Sequence, residues 1–166
     1  MIENYLNKKP TIDKTAKIFA NCSVIGDVTL GSHVGVWYNS VIRGDMAKVI
    51  IGDYTNIQDG TIIHTNVGMP TIIGNHVTVG HNAIIHAATV HDEALIGMGS
   101  IILDQAEIGK NALVAAGTVV PPGKVVPPKT LVMGNPMKVI RTLSDKEIEG
   151  ILKNKNHYVK LLKEYT

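Results

Sequence analysis

The sequence predicts an all-β fold, a parallel β-helix of about six coils with a C-terminal α-helix packed along it. A branched aliphatic residue recurs every six positions, and a small residue usually follows it four positions later. Only 4% of the chain is aromatic, so Val, Ile, Leu, Ala and Thr must form the core, which favours strands. Residues 12–120 lack the long helical patterns that an ordinary α/β domain requires.

The aliphatic positions form one nearly continuous series. It starts at Ile12 and keeps a spacing of six, with three extra residues before Ile51, four extra residues before Ile73 and one residue fewer before Val90. At three walls per coil, eighteen positions make six coils. The eighteen are Ile12, Ile18, Val24, Leu30, Val36, Ile42, Ile51, Ile57, Ile63, Ile73, Val79, Ile85, Val90, Ile96, Ile102, Ile108, Val114 and Val120.

Proline pairs and a capping signature divide the rest of the chain. Pro121–Pro122 is expected to end the repeats, and Pro127–Pro128 to keep the next stretch extended. Ser144 and Glu147 have the spacing of a capping box, and apolar residues follow at helical spacing. The predicted segments are an N-terminal arm (1–11), the β-helix (12–125), an extended connector (126–143) and the C-terminal helix (144–166).

Composition excludes several classes of protein. The net charge of +2 is too small to predict a nucleic-acid surface. Cys22 is the single cysteine, so there is neither a disulfide framework nor a thiolate zinc site. No apolar stretch is long enough for a membrane span, and the N-terminal residues lack the apolar segment of a signal peptide. We therefore expect a cytoplasmic protein.

Two histidines fall at equivalent positions of successive coils. His64 follows Ile63 and His86 follows Ile85, and the 22 residues between the histidines are one coil of eighteen plus the four-residue insertion within 65–70. Both side chains should point outward, about 5 Å apart at the backbone. That spacing suits two nitrogens bound to one ion at about 2.0–2.1 Å each.

His81 lies at the corner where the wall of His86 begins, roughly 16 Å from it along extended chain. It should not share an ion with His86 in one chain but could do so across an interface, and three such contacts close a trimer. Three imidazoles with an open fourth position describe a catalytic zinc site, and cobalt or ferrous iron would also be accepted. We interpret the other histidines as solvated surface residues: His33, His76, His91 and His157.

These features together resemble the gamma-class carbonic anhydrase family. The motifs that carry the resemblance are Asn56-x-Gln58-Asp59-Gly60 before His64, and Gly80-His81 before His86. The resemblance implies a left-handed β-helix and a homotrimer with metal at each interface. His64 and His86 would be the ligands from one subunit, and His81 the ligand from the next.

The resemblance also implies roles for other residues. Gln58 matches the residue that hydrogen-bonds the metal-bound hydroxide, and Asn56 matches a polar neighbour. Tyr158 aligns with a tyrosine near the family's active site. Arg43 and Asp59 match an ion pair across the subunit interface, and Asp45 matches a further carboxylate. We interpret Arg43, Asp45 and Asp59 mainly as interface structure.

The implied reaction is the reversible hydration of CO2 to bicarbonate, with a metal-bound hydroxide as nucleophile. Two departures bear on it: Met46 follows Asp45 where the family prototype has a glutamate, and the segment 65–70 is short and carries no acid. The missing glutamates are associated with proton shuttling, and their absence resembles a shorter branch with members of little or no activity. Asp59, Tyr158 or the buffer itself are then the candidates for proton transfer.

Two alternatives stay open. Residues 134–141 are similar to the segment that follows the repeats in hexapeptide acetyltransferases, so an acyl-CoA transferase or thioesterase is the first. Those transferases usually extend a long loop toward CoA, and no long loop is visible in this sequence. A non-catalytic metal-binding scaffold that assembles with other proteins is the second.

Overall fold

A computed structural model describes residues 1–165. The chain forms a solenoid of parallel strands with about seven turns and a C-terminal helix, which confirms the predicted β-helix. Helix α1 spans Asp145–Glu164. In chain order, strands β1 to β20 span Ile2–Glu3, Thr11–Ile12, Lys17–Ile18, Ser23–Leu30, Gly35–Val36, Val41–Ile51, Asn56–Ile57, Ile62–His64, Thr71–Ile73, Thr78–Val79, Ile84–His86, Thr89–Val90, Leu95–Ile96, Ile101–Ile102, Glu107–Ile108, Leu113–Val114, Val119–Val120, Val125–Val126, Thr130–Met133 and Lys138–Thr142.

Strands of successive turns pair in parallel and stack into three walls. The histidine wall consists of β1, the first halves of β4 and β6, and β8, β11, β14 and β17. The long strands β4 and β6 each turn a corner, and their second halves belong to a second wall with β2, β9, β12, β15 and β18. The helix wall consists of β3, β5, β7, β10, β13, β16 and β19, and β20 pairs antiparallel with β19 at its end.

The aliphatic series fills the interior of the solenoid. From Val24 to Val120 each predicted position is at most 1% exposed, while Ile12 and Ile18 in the first turn are half-buried. Burying a side chain of this size stabilises the fold by about 1.5–3 kcal/mol. The repeated column of Val, Ile and Leu is therefore what holds the coils together.

The solenoid continues beyond the predicted boundary at residue 125. Val126 in β18 and Val132 in β19 are fully buried, and these strands pair in parallel with β15 and β16. The predicted extended connector over 126–143 is therefore wrong. Pro121–Pro122 and Pro127–Pro128 stand at the corner turns, where no strand N–H is needed, so proline does not end the repeats.

Both ends of the chain pack against the solenoid. The first residues of the predicted N-terminal arm (1–11) are held against the solenoid, because β1 pairs in parallel with β4. At the other end, the capping box of Ser144 and Glu147 is present and opens α1. A Cβ added at Gly35 would lie 2.9 Å from Leu162, so glycine permits the close approach of α1 to the helix wall.

The N-terminal half of α1 has its own apolar contacts. Ile151 packs with Leu131 and Leu143 against the outer side of the helix wall. This contact confirms that the helix packs along the β-helix. Within the described residues, no helix has the length and apolar character needed to cross a membrane.

Candidate metal centre

His64 and His86 face each other on adjacent turns of the histidine wall. Strands β8 and β11 pair with His64 opposite His86. Ile63 and Ile85 point into the core, so the histidines that follow them point outward. His64 Nδ1 lies 3.1 Å from His86 Nε2. The structure thus brings the two rings together, and their role as metal ligands stays a prediction.

Each of these rings contacts a carboxylate through its other nitrogen. His64 Nε2 lies 2.9 Å from Asp45 Oδ1, and His86 Nδ1 lies 2.5 Å from Asp104 Oδ1. An ionised carboxylate can only accept, so both rings donate through these nitrogens. The two nitrogens that face each other are then both unprotonated in the neutral rings.

Both carboxylates are biased toward the ionised form. Burial disfavours the charge on Asp45, but hydrogen bonds from His64 and Arg43 outweigh it and lower its pKa. Hydrogen bonds from Asn66 and His86 lower the pKa of Asp104. The assignment of the ring protons follows from this bias.

The facing nitrogens fit a shared divalent ion. Two lone pairs 3.1 Å apart repel each other unless a cation lies between them. Two ligand nitrogens about 2.0–2.1 Å from one ion with tetrahedral angles are separated by about 3.3–3.4 Å. A carboxylate on the distal nitrogen is the usual partner of a metal-binding imidazole. The pair therefore suits a metal ion with little movement.

His81 stands apart from this pair, at a corner. Its Nδ1 contacts Asp59 Oδ2 at 2.8 Å, which leaves Nε2 as the ring nitrogen able to bind elsewhere. No group of three His, Cys, Asp or Glu side chains within residues 1–165 is placed to hold one ion. The involvement of His81 thus depends on a second chain, as the sequence predicts, and stays a prediction.

His81 shares a groove of about 350 Å³ with Gln58 and Tyr158. The groove lies between α1 and the helix wall, and Leu95 and Leu113 contribute to its apolar side. Of the predicted site residues, the structure therefore groups Gln58, His81 and Tyr158 in one place and His64 with His86 in another.

Gln58 is held in one orientation by a chain of hydrogen bonds. Its Nε2 donates to Asn56 Oδ1 at 3.1 Å, and Asn56 Nδ2 donates to Thr78 Oγ1 at 3.0 Å. Both amide side chains are buried. Because the Nε2 group is engaged, Gln58 offers its Oε1 as an acceptor beside His81.

Tyr158 reaches the groove from α1. Its ring packs edge-on against Trp37, with centroids 5.6 Å apart. Burial and the charge of Asp59 raise the pKa of Tyr158. The phenol therefore stays protonated at neutral pH and can donate a hydrogen bond into the groove.

Arg43 and Asp59 are not paired within one chain. Arg43 Nη1 contacts Asp45 Oδ2, whereas Asp59 contacts His81. The side chains of Arg43 and Asp59 are 40% and 42% exposed, so both are accessible to a second chain. An ion pair between them across an interface stays a prediction.

Sequence reasoning missed Asp104 and Asn66. Asn66 Nδ2 donates to Asp104 Oδ2 at 2.8 Å, behind the contact of Asp104 with His86. The available signal was spacing, because Asp104 follows His86 by eighteen residues, the length of one coil. Asn66 offered no such signal, because it lies in the insertion and outside the repeat.

The chain is similar to proteins of known families. Residues 87–122 match the family described as bacterial transferase hexapeptide (six repeats). A carbonic anhydrase of Geobacillus kaustophilus is 48% identical over 96% of this chain and 87% of its own length. The mitochondrial gamma carbonic anhydrase 2 of Arabidopsis thaliana is 42% identical over 95% of this chain, which spans 59% of that relative.

Solved structures share the fold. The crystal structure of a hexapeptide transferase family protein from Anaplasma phagocytophilum aligns with a TM-score of 0.96 and 39% identity. The alignment covers 99% of this chain and 98% of that one.

Proposed function

Since the chain belongs to the gamma-class carbonic anhydrase family, we propose that it hydrates CO2 reversibly to bicarbonate at a metal ion shared between subunits of a homotrimer. The observation that carries the proposal is common to three histidines. His64, His81 and His86 each contact a carboxylate through one ring nitrogen. Each ring is thereby oriented with its second nitrogen available, which is the arrangement of metal-binding imidazoles.

In the proposed assembly, His64 and His86 bind from one subunit and His81 from its neighbour. Outward-pointing apolar residues on the histidine wall support an interface there. Ile62 and Ile84, next to the two histidines, are both 37% exposed in the single chain, and they pair in register. Burying such side chains against a neighbouring subunit favours association.

A divalent ion held by the three histidines would lower the pKa of a water toward neutrality and so supply a nucleophile for CO2. The chain's own groups orient that chemistry. The hydrogen bond from Gln58 Nε2 to Asn56 fixes the amide group, so Gln58 Oε1 accepts a hydrogen bond from one fixed direction. The apolar side of the groove suits uncharged CO2 better than it suits bicarbonate, which favours release of the anion.

The metal is zinc, iron or cobalt in this proposal, because three imidazoles accept each of them. Proton removal falls to the solvent, since Tyr158 stays protonated at neutral pH and Asp59 is engaged by His81. The insertion 65–70 carries no acid, and Met46 stands beside Asp45. We therefore assign the step that limits turnover to proton transfer to external buffer.

Mixed trimers test the shared site. His64→Ala chains and His81→Ala chains are co-expressed with different tags, and trimers that contain both are purified. Neither variant alone should hold a full complement of metal. Each mixed trimer has one junction with all three histidines, so it should regain about one third of the wild-type metal and hydration rate.

His91→Ala is the matched control, because His91 contacts Glu107 away from the pair. It should keep about one ion per chain. Full metal content in His81→Ala trimers, or no recovery in the mixed trimers, would refute the shared site.

An acyl-group enzyme on the same scaffold is the second candidate. The match to a transferase family and the apolar groove beside Gln58 and His81 favour it. A bound ion could direct water to a thioester as well as to CO2. Metal-loaded protein that cleaves short acyl thioesters but leaves CO2 hydration at the uncatalysed rate would support this candidate over the first.

A further inference from the structure

We propose that Asp104 is a positioning residue for the metal ligand His86, and that Asn66 of the insertion locks Asp104 in place. The inference rests on the proposed metal site and adds two residues to it. Asp104 Oδ1 lies 2.5 Å from His86 Nδ1, and Asp104 Oδ2 accepts from Asn66 Nδ2 at 2.8 Å. Each carboxylate oxygen has its own donor, so the group is held against rotation.

The insertion is built to present Asn66. Its backbone closes a tight turn in which Asn66 and Met69 exchange two hydrogen bonds, at 3.2 and 2.9 Å. Asn66 Oδ1 accepts from the N–H of Val67 at 2.8 Å, which directs Nδ2 away from the turn toward Asp104. The four extra residues in the repeat thus carry an amide to a carboxylate 38 residues further along the chain.

The base of the insertion is fixed on both sides. Thr65 Oγ1 accepts from the N–H of Ala47 at 3.1 Å, and Thr71 Oγ1 donates to His64 O at 2.5 Å. Thr65 and Thr71 are fully buried. A turn anchored in this way keeps its amide in place, as a positioning role requires.

The two ligands of one chain have parallel support. Asp45 lies between His64 and Arg43, and Asp104 lies between His86 and Asn66. In each case a carboxylate orients the imidazole and a second donor orients the carboxylate. The insertion therefore does for His86 what Arg43 does for His64.

The test measures Zn²⁺ affinity of the full-length trimer at one fixed pH by chelator competition. Asp104→Asn should weaken binding about 10- to 100-fold, the usual loss for such a partner. Asn66→Asp sets two carboxylates against each other and should also weaken binding. Combining the two exchanges restores a donor-to-acceptor pair between positions 66 and 104, and the double variant should bind better than either single one.

Glu107→Gln is the matched control, because it alters a His–carboxylate contact of 2.7 Å at His91, which is not a proposed ligand. It should bind Zn²⁺ like the wild type. Unfolding midpoints of the metal-free variants check that each one folds. If Asp104→Asn does not fold, the Zn²⁺ affinity of Asn66→Asp alone decides the test.

Two results separate the inference from the proposed function. Wild-type affinity in Asp104→Asn, or a double variant that binds no better than the tighter-binding single one, overturns the positioning role and leaves the metal site standing. A wild-type trimer without Zn²⁺ affinity overturns the metal site itself, and the positioning role falls with it.

Discussion

His64 Nδ1 and His86 Nε2 point at each other across 3.1 Å, while the opposite nitrogen of each ring contacts a carboxylate. This relationship follows from register, because the two histidines are partners in the pairing of β8 and β11. The carboxylates then decide which nitrogens face each other without protons. A repeat built for packing thus places two ring nitrogens side by side, as the proposed metal site requires.

The first prediction concerns Gln58. Gln58→Ala should reduce kcat for CO2 hydration by roughly 100-fold, because it removes an oriented polar group from the reaction. Metal content should not change, since Gln58 is not a proposed ligand. Stopped-flow hydration assays and metal analysis on the same preparation measure both quantities.

Gln105→Asn is the control for this prediction. Gln105 is an exposed corner residue with φ of 59°, a conformation that asparagine tolerates. It should keep wild-type kcat. A Gln58→Ala protein with unchanged turnover would remove Gln58 from the mechanism.

The second prediction concerns proton transfer. The turnover rate at saturating CO2 should rise with the concentration of a small buffer base and then level off. The reason is that the insertion 65–70 has no acid, Asp59 is engaged by His81 and Tyr158 has a raised pKa, so the proton leaves to solvent species. A rate independent of buffer concentration at constant pH and ionic strength would contradict this account.

The third prediction concerns the apolar surface beside the histidines. Ile84→Asp should dissociate the proposed trimer and with it abolish metal binding, because it places a charge where the proposed interface is apolar. The far-UV circular dichroism should keep its β signature, since Ile84 points out of the core. Analytical ultracentrifugation with metal analysis makes the measurement.

Val125→Asp provides the comparison, because Val125 is 58% exposed on the second wall rather than on the histidine wall. It should remain trimeric and keep its metal. A trimeric Ile84→Asp protein would show that the interface lies on another face.

The sequence alone predicted most of the fold, because one hydrophobic column in steps of six defines each coil. It failed at Val126 and Val132, which continue the column. The proline pairs before these residues were interpreted as an end to the strands, yet they stand at corners, where the structure already turns. A proline indicates the end of a strand only when its position within the coil is known.

The candidate site was predictable where backbone register determines it. The spacing of His64 and His86 gave their adjacency, since it equals one coil plus the insertion. The contacts of Asp104 and Asn66 depend on side-chain directions and on the path of the insertion. A period of six predicts neither the side-chain directions nor the path of the insertion, so the contacts of these two residues are seen only in the structure.

The fourth prediction concerns the start of α1 in acid. Hydrogen bonds from Arg141 and from Ser144 hold the pKa of Glu147 well below its ordinary value of 4.5. A depressed pKa in the folded state stabilises the protein above the unfolded pKa, and this contribution is lost as pH falls through the folded pKa. Glu147→Gln should therefore lower the unfolding midpoint by a few degrees at pH 7. The difference from the wild type should persist down to about pH 5 and shrink below the unfolded pKa of 4.5.

Glu149→Gln isolates the capping contact from the removal of one negative charge on the same helix. Glu149 is exposed and contacts Lys153 at 3.2 Å across one turn, a surface pair that contributes little to stability. Its unfolding midpoint should stay close to that of the wild type at neutral pH. Thermal unfolding followed by circular dichroism from pH 7 to pH 3 compares the three proteins. Equal midpoints for Glu147→Gln and Glu149→Gln at pH 7 would show that the capping box does not stabilise α1.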